Sequence, residues 1–163
     1  MRRARHEVRG FTLVELIMVL TIVSVLAAVA LPRFASIQAD ARADKVNAAA
    51  GAARSASVLG RALLLARGYP DGFTGTALAP PLVVEGLALS FVNGYPSAAV
   101  IAELSGLSSP ALGGAGYLVQ AAEVGSRRIQ ADLHRPDCAF TYVEAAPGSA
   151  PGIVVTASAA TCE

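Results

Sequence analysis

The sequence predicts an α+β chain, a long N-terminal helix followed by a small antiparallel sheet. Three observations carry that prediction. Residues 11–31 form an apolar run of membrane length behind a short basic leader. Apolar residues at helical spacing continue to Leu63, where Gly68 and Pro70 supply stop signals. Beyond residue 116 come four short β-like runs separated by turn residues.

The leader, residues 1–10, holds Arg2, Arg3, Arg5 and Arg9 against Glu7, a charge of +3. In the run from Phe11 to Leu31 the polar side chains are Thr12, Glu15, Thr21 and Ser24. As a helix these 21 residues rise about 31 Å, the thickness of a bilayer's hydrocarbon core. The positive leader predicts a cytoplasmic N-terminus, with everything after Leu31 on the far side of the inner membrane. A charged side chain at the centre of such a span costs roughly 2.5–3.5 kcal/mol on insertion scales, which makes Glu15 the first residue to explain. On physics alone a plain anchor also fits. Glu15 lies one turn inside Phe11, where it can snorkel and where a carboxylate suits the helix dipole. Ala27, Ala28 and Ala30 could imitate the cleavage site of an ordinary secretory signal, although the run is long for one.

The helix is expected from about 11 to 67, bent or loosened near Pro32. Phe34, Ile37, Ala41, Ala48, Ala52, Leu59 and Leu63 share one stripe, opposite Asp40, Arg42, Lys45 and Arg54. That stripe, small and Ala-rich, is expected to pack on a sheet. Residues 69–81 read as loop. Leu87, Leu89 and Phe91 alternate in a strand that ends at Asn93-Gly94-Tyr95-Pro96. Ser97 is placed to cap a short helix carrying Val100, Ile101, Leu104 and Leu107. Residues 105–116, rich in Gly and Ser, should turn. The final runs, 117–122, 128–133, 139–144 and 153–157, read as a meander within a sheet of about three to five strands.

Removing the leader's +3 from the formal charge of +1 leaves the remaining chain near −2, with no strongly basic surface. The two cysteines, Cys138 and Cys162, both lie beyond the span in an oxidising compartment and read as one disulfide. Cys138 with His134 is the weaker alternative, a metal or thiol site.

The string Gly10-Phe11-Thr12-Leu13-Val14-Glu15-Leu16 resembles the class III signal of type IV pilins and type II secretion pseudopilins. The resemblance implies a pilin fold and three parts. These are a cleaved leader at 1–10, a transmembrane and filament-core helix half at 11–31, and a periplasmic or extracellular globular domain at 32–163 that includes the helix spine. It implies cutting between Gly10 and Phe11 by a prepilin peptidase, which also N-methylates Phe11. It gives Glu15 a role in assembly, and Pro32 falls where family members often bend the helix. The disulfide loop would be what pilin families call the D-region. Less specific strings, Leu87 to Ser97 and Cys138 to Glu144, look like mannose-sensitive haemagglutinin (MSHA) type pilins.

The function so implied is a structural subunit that polymerises through its N-terminal helix into a surface filament for adhesion. Its partners would be further copies of itself, the processing enzyme, the assembly machinery, the inner membrane before assembly, and a surface or host receptor. A type II secretion pseudopilin and a minor pilin or tip adhesin are the rival readings. No catalytic constellation, calcium-loop spacing or phosphate-binding Gly motif is present, so neither enzyme nor cofactor nor metal is expected. Arg127, Arg128 and Arg135 are interleaved with Glu123, Asp132 and Asp137, a mixed-charge face rather than a nucleic-acid site.

Overall fold

The computed structural model describes residues 11–76, 80–107 and 116–163. The chain divides into two units, Met1–Ile37 and Gln38–Glu163. Helix α1, Leu13–Ala66, is assigned without interruption and takes in Pro32. A proline there contributes no N–H, so the carbonyl four residues earlier lacks its usual partner. The helix ends where the sequence punctuates it. Gly68, at φ +80°, donates to Leu65 O, and Tyr69 donates to Leu64 O. These two bonds form a Schellman close, with Tyr69 packed in the same apolar cluster as Leu64.

After α1 the chain makes two minimal hairpins. Strands β1 (Val83–Val84) and β2 (Leu87–Ala88) pair with each other, as do β3 (Phe91–Val92) and β4 (Tyr95–Pro96). Each turns on two residues with positive φ, Glu85-Gly86 and Asn93-Gly94. This is the signature of the type I′ turn, whose twist matches the strands it joins. The single strand expected over 87–91 is therefore corrected. Glu85 accepts a left-handed conformation that Glu rarely adopts, and the sequence gives little warning of it. At Gly94 the turn presses on the preceding loop, and a Cβ there would lie 1.8 Å from Asp71 O.

Helix α2 (Ile101–Leu104) is one turn long. Ser97 does not cap it through its side chain. Its hydroxyl pairs with that of Ser90, and its carbonyl accepts the N–H groups of Val100 and Ile101. The Ala98 N–H is taken instead by the Glu144 carboxylate at 2.8 Å. Most of the turn expected over 105–116 lies outside the described residues.

The main sheet has four antiparallel strands in sequence order. They are β5 (Leu118–Ala121), β6 (Ser126–Gln130), β7 (Ala139–Val143) and β8 (Gly152–Val155). The expected meander is present, with the second run shifted toward the N-terminus. The run placed at 128–133 starts at Ser126 and stops at Gln130. It stops because the Asp132 carboxylate accepts the N–H groups of His134 and Arg135, folding the chain into a turn and leaving Leu133 exposed.

The packing face of α1 is the larger correction. Ala41, Ala48, Ala52, Leu59 and Leu63, expected in the core, are exposed, as are Phe34 and Ile37. The buried stripe is Ala39, Ala43, Val46, Ala49, Ala50, Ala53, Ala56, Ser57, Gly60 and Leu64. Residues 43–56 of this stripe meet Ile101, Tyr117, Ile129, Phe140 and Tyr142. The helix is apolar on two faces, so period alone does not choose between them. Small side chains on the buried face decide the matter by letting the partner approach closely. At Gly60 an added Cβ would lie 2.3 Å from Pro96 Cγ. Leu64 joins a second cluster with Leu82, Leu89, Phe91 and Val100.

Candidate assembly site at the helix N-terminus

The start of α1 is built by a local hydrogen-bond exchange. Thr12 Oγ1 accepts the Glu15 N–H at 3.2 Å and faces Glu15 Oε2 at 3.5 Å. Thr-x-x-Glu is the spacing of a capping box, in which the cap hydroxyl satisfies one of the helix's orphan N–H groups. Sequence reasoning missed Thr12, although that spacing is its signal. Glu15 sits in the first turn and is exposed.

The other hydroxyls in the span are satisfied by their own helix. Thr21 Oγ1 donates to Met18 O at 2.8 Å, and Ser24 Oγ donates to Leu20 O at 2.6 Å. The span therefore offers one ionisable side chain, Glu15, on an otherwise apolar rod. Its large residues stand open, from Phe11 at 78 % exposure to Leu31 at 68 %. The best 18-residue window of α1 has a mean hydropathy of 2.6 with none of it buried, long and apolar enough to cross a membrane. Such a surface is stable only against lipid or against other helices.

Of the residues singled out in the sequence, Phe11 and Glu15 lie in this segment, and Pro32 lies further along the same helix. Gly10 falls outside the described residues. Cys138 and Cys162 belong to the unit 38–163 and are bonded to each other, with both residues fully buried and Cα atoms 4.8 Å apart. The metal or thiol alternative at Cys138 and His134 is thereby removed. The bond joins the residue before β7 to the tail after β8, and Arg42 of α1 donates to Cys162 O at 3.1 Å.

The arginines of β6 and of the turn after it are spent inside the unit. Arg127 donates to Ala98 O, Arg128 to Pro136 O and Asp137, and Arg135 to Asp132. Asp132 is held below the usual carboxylate range. Burial works against this, but bonds from the His134 and Arg135 N–H groups and the Arg135 charge outweigh it. Tyr142 donates to Pro96 O at 2.7 Å. Burial first, and then the charges of Glu144 and Tyr95, push its phenol above the ordinary tyrosine range. Among the described residues no group of three or more His, Cys, Asp or Glu side chains could hold a metal ion.

A family model described as the prokaryotic N-terminal methylation motif matches residues 5–31, the segment just built. The chain thus carries a prokaryotic N-terminal methylation motif at its start. It is also 42 % identical over 62 residues to the type IV narrow pilus major component PilA5 of Thermus thermophilus. That match takes in 38 % of this chain, which spans about half (52 %) of the relative's length. No solved structure matches the chain significantly. The α+β architecture, a long N-terminal helix with antiparallel strands and the Cys138–Cys162 disulfide, fits a pilin fold.

Proposed function

We propose that this pilin-type chain is a structural subunit of a type IV pilus. The observation that carries the reading is the exposed apolar span with Glu15 as its one charge, inside the segment that matches the methylation motif. Residues 1–10 are the leader, 11–31 the membrane and filament-core half of the helix, and 32–163 the globular domain with its spine. Prepilin peptidase cuts between Gly10 and Phe11, and Phe11 becomes the methylated N-terminus. The new α-amine then lies one turn from Glu15. In the filament Glu15 of an incoming subunit pairs with the Phe11 amine of one already docked. Such a pair gains in a dry environment what an unpaired carboxylate would lose. Pro32 gives the helix a place to bend as the subunit leaves the bilayer. The precursor is anchored in the inner membrane and the assembled chain lies on the cell surface, where the filament serves attachment through a surface or host receptor. The MSHA-type likeness rests on the strings at 87–97 and 138–144.

Antibodies against the globular domain test the reading. Labelling along the length of surface filaments supports a major pilin. Labelling confined to filament ends supports the minor-pilin alternative, and labelling confined to the envelope supports a secretion pseudopilin.

A further inference from the structure

Sheets with free edges usually guard them with charge or proline. Here the charge distribution is reversed. The interior strand β6 holds Arg127 and Arg128, while the edge strand β5 lies in an uncharged stretch, 116–122. The other edge strand, β8, lies in an uncharged stretch from 145 to 162, with Pro147 and Pro151 ahead of the strand and no proline within it. Among the described residues, nothing pairs with the outer side of either edge.

Register fixes which backbone groups face outward. Thr156 N–H bonds to its opposite residue Ala139, and Ala122 N–H bonds to its opposite residue Ser126. Because bonded and non-bonded pairs alternate in an antiparallel ladder, Gly152 and Val154 turn toward β7, and Ile153 and Val155 turn out. On the other edge Val119 and Ala121 turn out by the same alternation. The two edges thus match in length, spacing and lack of charge. β8 is also held rigid. Thr156 Oγ1 donates to Asp137 O at 2.8 Å, Thr161 Oγ1 donates to Thr156 O at 2.9 Å, and the disulfide fastens the tail. A strand ordered in advance loses little freedom on pairing.

We infer that β8 of one copy of this chain pairs antiparallel with β5 of the next, continuing the sheet from subunit to subunit. Ile153 faces Ala121 of the neighbour and Val155 faces Val119, each pair exchanging N–H and C=O bonds. Val154 and Gln120 then form the closer, non-hydrogen-bonded pair on the outer face. Two different edges of one sheet make a head-to-tail contact, which builds an open filament wherever the rotation from copy to copy does not close into a ring. The inference rests on the polymer reading above.

The test is oxidative crosslinking of sheared fibres carrying both Gln120→Cys and Val154→Cys. A ladder of multimers that collapses on reduction, and is absent from each single variant, is the expected result. Fibres of normal yield that remain monomeric, or that crosslink to another protein, would overturn the edge contact and leave the pilus reading standing. Absence of fibres from the wild-type chain would overturn both. If the double variant does not assemble, hydrogen exchange on wild-type material decides. The amides of Ile153 and Val155 should exchange at least about tenfold more slowly in fibres than in detergent-dispersed subunits. Equal rates would overturn the contact.

Discussion

Replacing both Cys138 and Cys162 by alanine should destabilise the globular unit by about 3.5 kcal/mol. The bond spans a sequence separation of 24. In the chain-entropy model, closing a loop of about that length removes roughly 12 cal/mol/K from the unfolded ensemble, which gives the figure at 25 °C. The bond also holds the segment that carries Arg42's acceptor on Cys162 and the Thr156–Thr161 link, so its loss should loosen residues 156–163 first. Urea unfolding in mild detergent, followed by near-ultraviolet circular dichroism, reads this directly. Tyr117 and Tyr142 report because both lie in the core. With a urea slope of about 1–3 kcal/mol/M, the midpoint should fall by roughly 1–3 M. Wild-type protein under reductant should follow the variant. A loss below about 1 kcal/mol would mean that the tail is held by packing and hydrogen bonds and not by the bond.

Glu15→Ala should leave leader removal near the wild-type level, measured by the gel shift of the mature chain, while sheared fibre yield falls to background. Normal fibre yield would remove the pairing argument. Gly10→Leu should leave the precursor uncut in the membrane fraction, whereas normal processing would place the cut elsewhere. Gly60→Ala should cost about 1–3 kcal/mol, because the new methyl meets the rigid ring of Pro96; an unchanged melting curve would mean that the ring moves aside. The raised phenol of Tyr142 predicts an alkaline limit. Its contribution is fully present below the ordinary tyrosine pKa of about 10 and is lost as pH rises further, when unfolding frees the group to ionise. Tyr142→Phe should flatten that alkaline loss in a melting series, at a neutral-pH cost of about 1–3 kcal/mol from the orphaned Pro96 carbonyl.

The sequence made the exposed apolar span, the helix end at Gly68 and the four-strand meander legible because each rests on strong local chemistry. An apolar run of bilayer length, a Gly-Tyr-Pro stop and turn residues between β-branched runs admit few alternatives. The packing face of α1 was not legible. Ala and Leu occupy two sides of the helix, and the choice between them depends on where Pro96, Phe140 and Tyr142 arrive from distant sequence. The hairpin at Glu85-Gly86 was hidden for a different reason, since its two-residue turn holds the exposed Glu85 at a positive φ that its side chain does not favour. Ser97 has the right identity for a cap, but the neighbouring Ala98 N–H is captured by Glu144, 46 residues from Ala98 in sequence. At the candidate site, Glu15 stood out as a charge in an apolar run. Its hydrogen-bonded neighbour Thr12 was concealed by being merely polar, although Thr-x-x-Glu spacing encodes the box.

Processing at the Gly10–Phe11 junction would make a filament subunit whose N-terminus and Glu15 act together. Mass spectrometry of material sheared from the cell surface tests it most directly. The predicted result is an abundant chain that begins with N-methylated Phe11 and has Cys138 and Cys162 oxidised. A surface chain that still carries residues 1–10 would contradict it and reduce Glu15 to a carboxylate tolerated at the end of an ordinary anchor.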